Sequence, residues 1–266
     1  MDSIRLYARL AWAHERGVMQ YRLSFILMTI GAVAISAAEF LGLRLYFDHV
    51  PTIGGWTLNE VMILFGLSGM TFAIAESMAT GFEQLPNLLV QGTFDRILAR
   101  PRGAFFQVIA TGIGVRRFSR VTGYLLVLIY GLTAAGVSPT PGNAGIAIPA
   151  VASGVAIYFS IFVIGSAYAF WTVQGTEVVN IFTNGGSFVA SYPIDIFPGW
   201  LRQVVVSLVP VAFVAYFPTL LLLDRAMPFG WPDWLRWTSP IAALACALIA
   251  QLAWRAGTRR YASAGS

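Results

Sequence analysis

The chain has 266 residues, 57% hydrophobic and 11% charged, with a mean hydropathy of +0.70; an ordinary soluble domain carries about 25% charged residues, so lipid is the expected solvent. Its formal charge of +5 is built from 17 basic residues, every one an arginine. The absence of lysine excludes a phosphate-cradling P-loop and Schiff-base chemistry, and the basic excess reads as attraction to anionic lipid heads rather than to nucleic acid.

Residues 1–22 place Ile4, Tyr7, Ala11, Val18 and Tyr21 at helical spacing, with Arg5, Arg9 and Arg16 mostly on other faces. An amphipathic helix lying on the inner leaflet is predicted. The rival reading, a signal peptide ending near AISAA at 34–38, fits poorly: the flank carries Asp2 and Glu15, and cleavage would remove a span.

Six apolar runs then approach the roughly 20 residues a helix needs to cross hydrocarbon. They cover about 23–43, 60–81, 121–138, 146–171, 203–223 and 238–254. With the N-terminus inside, 14 of the 17 arginines fall on the inner side, leaving Arg44, Arg225 and Arg236 outside; short inner loops retain arginine. The expected fold is an all-α polytopic membrane protein, a single transmembrane domain of six spans with both termini inside. Residues 178–202 fit this map least easily. They are apolar but interrupted by Asn180, Asn184, Gly185, Gly186, Pro193 and Asp195, and are expected to form an inner-leaflet helix and connector.

Between spans two and three lies NLLVQGTFDRILARP, residues 87–101. As one helix over 87–100 it would put Phe94, Ile97 and Leu98 on one side and Arg96 and Arg100 on another, with Pro101 stopping it. So short a helix needs something to dock against. Two readings stay open on the residues alone: an interfacial helix with its apolar face in lipid, or a coupling helix seated on a partner, anchored by Phe94 and Ile97.

The stretch VQGTFDRILARP resembles the G-x-F-D-x-L-L-x-R-P signature of the six-span permeases of ABC-2 type exporters. GGWTLNEVMILFG at 54–66, FWTVQGTEVVNIFTNGG at 170–186 and YPIDIFPGWLRQVVVSLVPVAFVAYFP at 192–218 are similar to other segments of that family in the same order. The resemblance implies a non-catalytic export permease in a bacterial inner membrane. It would pair with a second permease, a sister chain or an identical copy, and with two ATPase subunits that hold ATP and Mg; no cofactor is expected in this chain. The ATPase-contacting residues it implies are Leu89, Gly92, Phe94, Asp95, Arg96, Ile97, Leu98, Arg100 and Pro101, with a second, smaller contact at 174–184 that includes Glu177. An ion-coupled carrier or channel subunit is the alternative.

Three charges fall inside the apolar runs. Glu39 and Arg44 are expected to pair locally or snorkel near the outer leaflet. Glu76 is expected to pair with Arg116, Arg117 or Arg120 at the entry to span three. Pro210 and Pro218 mark a hinge in span five. Trp231, Trp234 and Trp237 read as an outer aromatic belt, or a short helix capping the outer gate. The lone Cys246 cannot form a disulfide within the chain and reads as packing.

Overall fold

The structure, a computed structural model, describes residues 22–110, 118–172 and 180–261. Among them all the named elements are helical, and a single β-bridge closes the turn from Ile53 to Trp56. In chain order the first helices are α1 (Arg22–His49), α2 (Leu58–Glu83), α3 (Leu85–Val90), α4 (Phe94–Leu98) and α5 (Ala104–Ala110). They are followed by α6 (Phe118–Ala134), α7 (Pro141–Tyr168), α8 (Gly186–Ala190), α9 (Gly199–Gln203), α10 (Tyr216–Leu222) and α11 (Ser239–Arg260).

The centre is α2. Its sequence is apolar on every side, and a helix of that kind is stable only when surrounded; Val61, Met62, Ile63 and Leu64 in succession have no exposed surface. The helix starts where the Glu60 carboxylate turns back to accept the Thr57 backbone N–H at 2.8 Å, which satisfies one of the free donors of the first turn. Two of its glycines set how closely α6 can approach. A Cβ at Gly66 would stand 2.7 Å from the Leu128 backbone, and one at Gly69 would overlap the Tyr124 ring. Where hydrocarbon gives no hydrophobic drive between helices, small residues of this sort let backbones pack directly. Helix α7 covers a further side of α2, with Gly154 against Thr71, and α11 packs along α7.

Among the described residues three helices, Leu58–Val90, Pro141–Tyr168 and Ser239–Arg260, are long and apolar enough to cross a membrane. A fourth candidate is the pair Gly199–Leu208 and Val211–Leu222, bent by 75° at Val209 and Pro210. The location of its ends decides what this pair is. Near its start, the Arg202 guanidinium lies 4.0 Å from the centroid of the Phe229 ring, and its Nε donates to the Phe197 carbonyl. Just past its finish, Arg225 donates to the Gly55 carbonyl at 2.8 Å and lies over the Trp56 ring. Both ends therefore stand at one end of the molecule, beside Trp56. The bend reaches inward, with Val214 against Gly154 halfway along α7.

The pair dips in and returns, so the expectation of a crossing over 203–223, with Arg202 on the opposite side from Arg225, does not hold. The prolines follow the same correction. Pro210 forms the apex of the bend, and Pro218 lies in the first turn of α10, where a missing N–H costs no helical bond. Neither interrupts a continuous span.

The connector before the pair also moves. The Ser68 hydroxyl in the middle of α2 donates to the Ser187 carbonyl at 3.2 Å, and eight residues later Asp195 accepts from Trp56. Residues 187–195 thus climb alongside α2 from its middle to its N-terminal end, rather than lying at the opposite face as an inner-leaflet connector. A turn of π-helix at Ile181–Gly185 precedes α8 and carries Asn184 and Gly185, two of the residues that argued against a plain span.

Candidate functional site

The far end of the molecule, away from Trp56, is organised around Trp254. Phe82 and Phe105 lie 5.4 Å from its ring and Phe170 5.7 Å, edge-on; such contacts add about 0.5–1.5 kcal/mol each beyond burial. The cluster ties together the end of α2, the start of α5, the end of α7 and the end of α11. Gly257 makes room for it, because a side chain there would overlap Phe170.

The loop from α3 to α5 is fastened onto this base. Phe94 has no exposed surface and meets Tyr261 at 5.1 Å and Phe170 at 5.5 Å, and Ile97 is 7% exposed. Leu88 and Leu89 pack against the same cluster. The Gln107 side chain closes the loop from within, its Nε2 donating to the carbonyls of Ile97 (2.8 Å) and Arg102 (2.6 Å).

Two expectations change here. Residues 87–100 are not one helix, since Gly92 takes a φ of +65° and separates α3 from α4. A glycine just beyond a helical turn is a C-terminal signal, and it was legible in the sequence. Phe94 and Ile97 face their own chain and cannot anchor a partner. The loop's outer surface consists instead of Asn87, Val90, Gln91, Arg96, Leu98, Ala99, Arg100, Pro101 and Arg102, all exposed. Asp95 is half-buried beside Tyr261. Burial, and then the neighbouring carboxylate, push the Tyr261 phenol above its usual range. Glu177 lies outside the described residues.

Of the intramembrane charges, Glu76 pairs with Arg120, joining α2 to α6, one of the three partners the sequence offered. Glu39 does not pair with Arg44. Its carboxylate accepts a 2.8 Å hydrogen bond from the Tyr124 hydroxyl, a partner 85 residues away that no local pattern signals. Arg44 is exposed.

A family model described as ABC-2 family transporter protein matches residues 33–265. The chain belongs to that family. It is therefore a multi-pass membrane protein and a permease of an ABC transporter, a class of subunit that associates with ABC ATPases. No curated protein and no solved structure matches the chain. In this ABC-2 permease the site that sequence reasoning missed is at the Trp56 end. There Asp195 accepts from Trp56 Nε1 at 2.9 Å and from the Tyr216 hydroxyl at 2.7 Å, while Arg225 bridges to Glu60 at 3.4 Å. The aspartate in an apolar run was the visible signal; its partners, on two other elements, were not.

Proposed function

We propose that this permease is the membrane half of an ATP-driven exporter, and that the exposed rim of the α3–α5 loop receives a partner ATPase. The observation that carries the reading is the loop's double character. Phe94, Ile97, Leu88 and Leu89 are packed into the Trp254 cluster, and Arg96 and Arg100 are presented outward on that base. A push on the rim is thereby delivered to the ends of α2, α7 and α11 together, through packed rings rather than a slack linker. Arg96 and Arg100 suit carboxylates on a soluble partner, where charge sets register and encounter. Phe94 and Ile97 are turned inward, and what the loop presents outward beside the exposed Val90 and Leu98 is mostly polar and charged, which suits a protein partner better than hydrocarbon.

The topology that accompanies this reading has six crossings: α1, α2, α6, α7, the described segment leading through α8 to Asp195, and α11. The bent pair is a re-entrant hairpin between the fifth and sixth. Two changes to the sequence map offset one another, so the parity of α11 is kept. Among the described residues Arg96, Arg100, Arg102, Arg255, Arg259 and Arg260 stand at the Trp254 end, which the positive-inside tendency makes cytosolic. Family resemblance is what supports export as the direction.

The test is ATP hydrolysis by the permease assembled with its ABC ATPase in lipid. Arg96→Glu with Arg100→Glu is expected to lower hydrolysis and weaken association. Full activity of that double variant overturns the reading.

A further inference from the structure

A cavity of about 680 Å³ opens between α1, α2, α6 and the segment from Asn184 to Phe197. It extends from Ile53 at the Trp56 end to Arg120, the partner of Glu76. Its lining residues on α2, from Phe65 to Phe72, and on α1, from Glu39 to Tyr46, each cover about 10 Å by helix rise. Its size suits a drug-sized ligand.

The chemistry of its wall is specific. Tyr46, Phe65, Phe72, Tyr124, Phe188 and Tyr192 all line it. Glu39 is the one carboxylate on the lining, and its described contact is the Tyr124 hydroxyl, a neutral donor. Arg120 also lines the cavity, but it is ion-paired to Glu76. The wall therefore sets a carboxylate, whose described partner is a neutral hydroxyl, within an aromatic surround, while its one described cation is engaged by Glu76. Aromatic faces and a carboxylate both attract cations, more strongly where water is scarce, and an ionisable group inside a membrane protein points to function. The second large cavity, about 710 Å³ beside the bent pair, is lined by Ile161, Phe182, Pro210, Cys246 and similar residues with no charged group, so it offers no such selectivity.

We propose that the Glu39 cavity binds amphipathic organic monocations, with the cationic centre between the Glu39 carboxylate and the rings of Tyr124 and Tyr192 and the apolar body along α2. Binding itself needs no ATPase; only the step of naming such a cation as the transported substrate rests on the export reading above.

The test uses the full-length permease, without ATPase, in nanodiscs of zwitterionic lipid, with empty nanodiscs as the partition control. The probes are tetraphenylphosphonium and tetraphenylborate, of nearly the same shape and opposite charge. Saturable binding of the phosphonium and none of the borate is expected. Glu39→Gln keeps an acceptor for Tyr124 and removes the charge, and should weaken phosphonium binding about tenfold or more. Equal phosphonium affinity in the variant, or borate binding as tight as phosphonium in the native chain, overturns the proposal. The second comparison needs no variant, so it decides even where Glu39→Gln fails to fold. Full ATPase coupling in the Arg96→Glu, Arg100→Glu double variant, with phosphonium binding intact, would overturn the export reading alone.

Discussion

Trp56 Nε1 donates a 2.9 Å hydrogen bond to Asp195, which lies 139 positions further along the chain. The same oxygen accepts from Tyr216 in the bent pair, so one carboxylate holds the turn before α2, the connector and the bent pair together. Asp195→Ala leaves two donors without their acceptor, at about 1–3 kcal/mol for each that stays buried. A lowered melting temperature in detergent is expected, with Asp195→Asn milder because its amide oxygen can still accept. An Ala variant as stable as the native chain would show the link to be idle.

Placing both ends of the hairpin on one side has a direct chemical consequence. In a Cys246→Ser background, cysteines at Gly199 and Ala226, both exposed, should react with a membrane-impermeant maleimide added from outside. Arg259→Cys should react only after permeabilisation. Labelling of 199 and 226 from opposite sides would mean that the segment crosses after all.

The α3–α5 loop separates buried residues from those proposed to meet the ATPase. Phe94→Ala empties a fully buried site and is expected to destabilise by about 3–5 kcal/mol, seen as a fall in melting temperature. Arg96→Glu and Arg100→Glu change exposed side chains and should shift stability by less than about 0.5 kcal/mol while weakening ATPase association. If Phe94→Ala were thermally silent, the aromatic base would not be holding the loop.

Glycine positions supply a control of their own. At Gly66 the obstacle is the Leu128 backbone, which cannot swing away, so Gly66→Ala should cost about 1–3 kcal/mol through overpacking. Gly145 in α7 has open space around its missing Cβ, and Gly145→Ala should be neutral or mildly stabilising. Melting curves of the two variants side by side check the pair; equal curves would remove the close α2–α6 approach from the account.

Much of the architecture could be read from the chain because it rests on local quantities. Apolar run length located α2, α7 and α11, and the spacing of charges offered Arg120 to Glu76. What failed depended on contacts distant in sequence. A run such as 203–223 has the same hydropathy whether it crosses or turns back, and only the meeting of Arg202 with Phe229 and of Arg225 with Gly55 distinguishes the two. Likewise, helical spacing put Phe94 and Ile97 on one face but could not say whether that face met a partner or the rings of Phe170 and Tyr261. Glu39 was noticed as costly in the membrane, yet its donor, Tyr124, lies on another helix.

The apex of the hairpin carries one more implication. Inside hydrocarbon a sharp turn is usually expensive, since each amide hydrogen freed from a helix must find an acceptor or draw in water. Here Val209 donates to Val204 and Val211 to Val209, and between them Pro210 has no amide hydrogen to place. The turn can thus sit deep with less call on water at its apex, so the hairpin need not draw a hydrated cleft in behind it.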